Sequence, residues 1–122
     1  MKLRIKGNSI RIRLTKTEVD RFEKDHYLKE STEFVTGKLT YVLAKDPAMT
    51  ELGAKIEGTK ITVQVPPAVA DRWTSTDEVG FQNNFTIGAD KQLFLLVEKD
   101  FVCLDNTLED QSDNYPNPNA VC

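Results

Sequence analysis

The chain has 122 residues, 39% of them hydrophobic and 29% charged, with a formal net charge of −3. That length suits one domain able to bury a core without staples, and the composition is that of a globular protein rather than a disordered one. No apolar run reaches the roughly 18 residues of a membrane helix, and the alternating Lys/Arg start lacks a signal-peptide core, so the expected setting is cytoplasmic with no membrane contact. The charge is unevenly spread. Residues 1–24 carry eight Lys/Arg against three Asp/Glu, and residues 98–122 carry one against six.

In chain order, Lys2–Lys6 alternates polar and apolar residues, with Leu3 and Ile5 on one side. Ile10, Ile12 and Leu14 do the same after Gly7-Asn8-Ser9. Period two about a Gly-Asn connection predicts a β-hairpin. Thr15 followed three residues later by Glu18 is a capping box, in which hydroxyl and carboxylate satisfy orphan amides reciprocally. It opens a short helix over 16–25 with Val19 and Phe22 on the apolar stripe. Strands follow near 27–34 and 38–45, with Gly37 between them.

Asp46–Gly53 is a connector, after which the order repeats. A hairpin turns about Gly58-Thr59. Pro66-Pro67 opens a helix reaching Trp73, since proline at the first helical positions forfeits no hydrogen bond. Strands near 78–86 and 92–99 close the unit, with Asp90-Lys91 as the last turn. Asn84-Phe85-Thr86 has the form of a glycosylation sequon and reads as ordinary strand without a secretion signal. Trp73 and most of the six phenylalanines fall at core positions, as large aromatics usually do.

A shift of 51 residues carries Ile5 onto Ile56, Ile10 onto Ile61, Ile12 onto Val63, Asp20-Arg21-Phe22 onto Asp71-Arg72-Trp73, Leu28 onto Val79, Phe34 onto Phe85 and Gly37 onto Gly88. Three extra residues then enter, and Leu39–Asp46 falls on Leu93–Asp100. Self-similarity at a fixed period implies a repeated structural unit. The expected fold is mostly β: two ββαββ repeats, about 2–46 and 54–100, forming one pseudo-two-fold swapped-hairpin-like barrel within a single domain, 1–101. Residues 102–122 read as an irregular acidic tail, pinned by Leu104, Leu108 and Tyr115. Head and tail carry opposite charge, so the tail is expected to lie over the basic hairpin, although exposed pairs attract weakly.

The second unit, with Gly58-Thr59-Lys60-Ile61-Thr62-Val63-Gln64-Val65-Pro66, Asp77-Glu78-Val79 and Leu93-Phe94-Leu95, resembles the swapped-hairpin fold of AbrB- and MazE-type regulators and antitoxins. The first unit carries Gly7-Asn8-Ser9 and Ile12-Arg13-Leu14, similar to the antitoxin's Gly-Asn-Ser and Val-Arg-Ile. Those regulators are homodimers of a short unit, so the resemblance implies a monomeric pseudo-dimer here. The segments Glu98–Leu104 and Tyr115–Pro118 also look like a small family of uncharacterised bacterial proteins.

The resemblance implies nucleic-acid contact through the first hairpin. Carried over by position, the candidates are Lys6, Asn8, Arg11 and Arg13, with Lys2 and Arg4 beside them. Such a cationic strand face can neutralise phosphates and pair with guanine. The matching positions in the second unit are Lys55, Glu57, Thr62 and Gln64, so only half the pseudo-dimer is basic. The same Lys/Arg can also simply solvate an exposed strand. The leading expectation is therefore a non-enzymatic binding or regulatory module that contacts another protein. The alternative is a DNA-binding regulator or antitoxin-like protein using the basic hairpin.

An enzyme is the least supported class. His26 is the single histidine, in a polar stretch near a helix end, and no phosphate loop or nucleophile elbow occurs. Cys103 and Cys122 lack metal-ligand spacing, and a reducing compartment favours free thiols over a bridge between them. No catalytic residue, metal or cofactor is expected.

Overall fold

A computed structural model of the chain describes residues 1–101 and 112–116. The elements run β1 (Lys2–Ile5), β2 (Ser9–Leu14), α1 (Lys16–Asp25), β3 (Tyr27–Phe34), β4 (Gly37–Lys45), β5 (Gly53–Glu57), β6 (Lys60–Val65), α2 (Pro67–Ser75), β7 (Gly80–Gly88) and β8 (Lys91–Lys99). The fold is mostly β, as its alternating patterns require. Two four-stranded sheets have the orders β1-β2-β8-β7 and β3-β4-β6-β5. They share one core and do not close on each other through strand pairing.

Each sheet takes one hairpin from each half of the chain. The first hairpin, β1–β2, joins the last, β7–β8, through the parallel pair β2–β8. The middle hairpins join through the parallel pair β4–β6. The junctions are built alike. Ser9 lies opposite Phe94 as Lys60 lies opposite Thr40. The Phe94 amide donates to the Asn8 carbonyl at 3.1 Å, and the Thr40 amide donates to that of Thr59 at 2.9 Å. The amides of Asp100 and Asp46 donate to the carbonyls of Leu14 and Val65, both at 2.8 Å.

The strand pairings correct the register read from sequence. Phe85 lies opposite Leu93 as Thr32 lies opposite Leu39, so Phe85 is the counterpart of Thr32 rather than of Phe34. Two of the extra residues therefore precede β7, in the α2–β7 connection, and the third is Ile87 in a bulge between Thr86 and Gly88. The coincidence of Phe34 with Phe85 and Gly37 with Gly88 hid this, because hydrogen bonds rather than residue identity define equivalence.

The two helices begin differently. Thr15 and Glu18 make the expected capping box: the Glu18 amide donates to the Thr15 hydroxyl, and the Thr15 amide donates to the Glu18 carboxylate at 2.9 Å. Pro66 occupies the cap of α2 with Pro67 as the first helical residue and no side-chain cap bond. The α1 C-cap is His26, left-handed at φ 63° and exposed, whose amide donates to the Phe22 carbonyl at 2.8 Å.

Phe22 and Trp73 hold the two halves together. Trp73 is fully buried and meets Phe22 and Phe81 edge-on at 6.4 and 5.3 Å between centroids. Its indole N–H donates to the Val79 carbonyl at 3.1 Å. The other phenylalanines depart from expectation. Phe22 alone among the six is in the fully buried set, while Phe34 is 61% exposed. Phe34 follows the inward alternation of β3, but its strand runs past the end of the core.

Residues 112–116 do not lie over the basic hairpin. They pack at the start of α1 and the end of β8. The Lys16 amide donates to the Asp113 carbonyl at 3.1 Å, and the Thr17 hydroxyl donates to the Asp113 carboxylate at 3.0 Å. The Tyr115 amide donates to the Asp100 carbonyl at 2.8 Å, with its ring 5.5 Å from that of Phe101. A helix start offers unsatisfied N–H groups and a positive dipole end, so a carboxylate settles there in preference to solvated surface cations. Leu104, Leu108, Cys103, Cys122 and the other tail acids lie outside the described residues.

Hydrogen bonding with Thr15, then Thr17, and the nearby Lys16 charge hold the Asp113 carboxyl below its ordinary value of 3.8. A lowered carboxyl stabilises the fold above that ordinary value, and the contribution is lost as pH falls through the lowered one. Asp113→Ala is therefore expected to melt below the wild type at neutral pH, with the gap closing in strong acid. Melting curves across an acid series check this.

Candidate functional site

Register decides which candidate residues share a face, because directly opposed residues point to the same side of a sheet. Ile12 and Val97 are opposed and buried, so they mark the core side of the first sheet. Arg4 is opposed to Arg11, Lys2 to Arg13, Arg11 to Leu96, Arg13 to Glu98 and Ser9 to Phe94. Gln82 and Asn84 flank Leu96 and Phe94 from β7. All of these lie on the outward face. Lys2, Arg4, Arg11 and Arg13 thus share the cationic face expected from the alternation, with Lys6 just beyond the end of β1.

The strip is partly occupied by the second half of the chain. The Nε atoms of Arg11 and Arg13 both donate to one carboxylate oxygen of Glu98, each at 2.7 Å. Glu98 is 15% exposed at its side chain, whereas the two arginines are 33% and 40% exposed. Charge-assisted bonds to a half-shielded carboxylate are among the stronger polar contacts. Gly80, opposite Glu98, makes the space: a Cβ there would stand 2.8 Å from the Glu98 Cβ and 2.5 Å from the Val97 carbonyl oxygen. Asn8 is also engaged, its amide donating to the Gln92 carbonyl at 2.6 Å to tie two turns together. The Lys2 ammonium meets the buried Asp100 carboxylate at 3.0 Å. Arg4 and Lys6 stand exposed.

Glu98 escaped the sequence reading because it lies more than eighty positions from both arginines in the chain. The parallel pairing of β2 with β8 is what brings them together. Phe94 and Leu96 escape it too, because the sequence marks 92–99 only as a strand. Both are half-buried on the outward face.

Large apolar side chains gather at the hairpin ends. Ile5 and Ile56 stand at the ends of β1 and β5, 54% and 67% exposed. Phe34, Val35 and Ile87 stand at the β3–β4 and β7–β8 ends, and Val35 is fully exposed. Ile5 is opposed to the buried Ile10, and Ile56 to the buried Ile61. The inward faces of the sheets therefore run beyond the core into solvent, which alternation alone does not reveal.

Lys99 is only 5% exposed. Its ammonium donates to the Thr76 carbonyl at 2.7 Å and lies 5.8 and 5.4 Å from the ring centroids of Trp73 and Tyr115. Burial lowers its pKa below the ordinary 10.5, against the raising influence of Asp77 and Glu78. With its proton held by a carbonyl and two ring faces, Lys99 ties the end of β8 to the α2–β7 connection. Among the described residues, no three His, Cys, Asp or Glu side chains gather as a metal-binding group, and no helix is long and apolar enough to cross a membrane.

Residues 1–119 match the model of DUF7009, a family of unknown function. No curated protein and no solved structure matches the chain.

Proposed function

The chain belongs to that family, and we propose that it is a non-enzymatic binding or regulatory module whose ligand is another protein. The observation that carries this reading is the set of exposed apolar side chains at the hairpin ends, Ile5, Phe34, Val35, Ile56 and Ile87. Large apolar side chains left in solvent where inward faces outrun the core offer a surface for a partner to cover. The fold is read as a tandem duplication of an AbrB-like swapped-hairpin unit acting as a monomeric pseudo-dimer. The like-built junctions of β2–β8 and β4–β6 support that reading.

The basic strip fits the DNA-binding alternative less well. Glu98 already engages Arg11 and Arg13, and the Asn8 amide is committed to the Gln92 carbonyl. The chain as a whole is acidic, and a DNA module normally shows a stronger cationic footprint.

Co-purification from the native host tests the proposal. A partner protein is expected to elute with the wild type and to be lost with Phe34→Ser combined with Ile56→Ser. Exposed substitutions of this kind usually change stability by about 0.5 kcal/mol or less, so melting should be near that of the wild type. Duplex DNA bound with steep salt dependence, and no protein sensitive to these substitutions, would overturn it.

A further inference from the structure

The two sheets share an architecture but present opposite outward faces. On the β3-β4-β6-β5 sheet the central outward positions are small and closed, while charged Lys29, Lys38, Lys55, Glu57 and Lys60 surround them with mixed sign. Val42 is 1% exposed, Thr40 and Thr62 are 8% exposed, and the Ser31 and Thr40 hydroxyls are 3.0 Å apart. The register places Leu96 where the other sheet has Val42, Phe94 where it has Thr40, and Arg11 where it has Thr62. On the β1-β2-β8-β7 sheet the same scaffold thus carries two large apolar side chains, both half-buried, beside a strip of cations. Arg11 and Arg13 share the carboxylate of Glu98, with Arg4 opposed to Arg11 across β1–β2.

We propose that the outward face of the β1-β2-β8-β7 sheet docks an acidic, partly apolar segment of the partner protein. The proposal deepens the protein-binding reading and rests on it. Three observations choose the occupant. The strip has a surplus of positive charge, which favours an anionic partner. Its guanidinium groups already coordinate a carboxylate, since both Arg11 and Arg13 donate to Glu98 at 2.7 Å, and Arg4 stands beside Arg11 without such a partner among the described residues. The Phe94–Leu96 strip runs alongside, matched in spacing to alternate side chains of an extended segment. A phosphate backbone would use the cations but leave this apolar strip without a counterpart.

The test titrates the full chain with a labelled short peptide alternating glutamate and leucine, beside a lysine–leucine control and duplex DNA. Saturable binding of the glutamate–leucine peptide alone is expected. Arg4→Gln with Arg11→Gln should weaken it about tenfold or more, the scale of lost charge-assisted hydrogen bonds. Glu98→Gln should strengthen it several-fold by releasing both guanidinium groups. Lys55→Gln, on the other sheet, should leave it unchanged. Melting curves establish that each variant is folded, and the gain expected from Glu98→Gln cannot arise from unfolding.

No binding of the peptide, affinity insensitive to the Arg4 and Arg11 changes, or tighter binding to duplex DNA would each overturn the proposal. If those results accompany loss of the host partner in the Phe34→Ser, Ile56→Ser chain, this face is rejected and the protein-binding reading stands. Should the host partner be absent or unaffected by the hairpin-end changes, the broader reading fails on its own evidence.

Discussion

Trp73→Ala is expected to bring the fold close to the edge of stability. Trp73 is fully buried, touches Phe22 from α1 and Phe81 from β7 edge-on, and spans the junction of the two halves. Truncating such a ring leaves a cavity and removes its transfer free energy, together costing about 3–5 kcal/mol. Domains of this size hold about 5–15 kcal/mol in all. The change also removes the N–H donor to the Val79 carbonyl, which anchors the longer α2–β7 connection. Trp73→Phe keeps a ring at the site and should cost less. Urea unfolding followed by circular dichroism measures both, since the chain's single tryptophan cannot report on its own removal. A Trp73→Ala chain that unfolds at the wild-type midpoint would mean the junction does not depend on this ring.

Severing the connector between Lys45 and Gly53 should leave neither half folded as a monomer. The two central strands of each sheet come from different halves, β2 with β8 and β6 with β4. An isolated first half keeps its two hairpins but loses the parallel partner of each, so β2 and β4 would both become bare edges. It also loses Trp73 from the face of Phe22. An isolated two-stranded hairpin is marginal in water. Each fragment is therefore expected to show a disordered spectrum when monomeric, and mixing equal amounts should restore cooperative unfolding. A fragment that folds only by pairing with itself agrees with the interlocked topology. A half that folds cooperatively as a monomer contradicts it.

Local chemistry determined much of this molecule from sequence alone. Alternation in Leu3–Leu14 about Gly7-Asn8 specified the first hairpin and which side of β2 faces inward. The Thr15–Glu18 spacing fixed the start of α1, because a capping box is satisfied within four residues. The match of Ile5, Ile10 and Ile12 with Ile56, Ile61 and Val63 made the recurring order of hairpin and helix legible, since strand period and helix placement are properties of short windows. These features depend on neighbours in the chain, and so the chain states them.

What tertiary structure decided depends on residues far apart. The placement of the extra residues ahead of β7 and at the Ile87 bulge follows from pairing with β8, which the match of Phe34 to Phe85 concealed. Asp113 settled on the first turn of α1 because that turn offered free amide groups, whereas long-range charge suggested the basic hairpin. Phe34 and Ile56 keep the inward alternation yet stand in solvent, because only the packed sheets define where the core ends. Most consequential for function, Arg11 and Arg13 are clamped by Glu98 through the parallel pairing of β2 with β8. Sequence revealed their shared face. The fold determined that a carboxylate already occupies it, since that contact exists only once opposite ends of the chain become neighbouring strands.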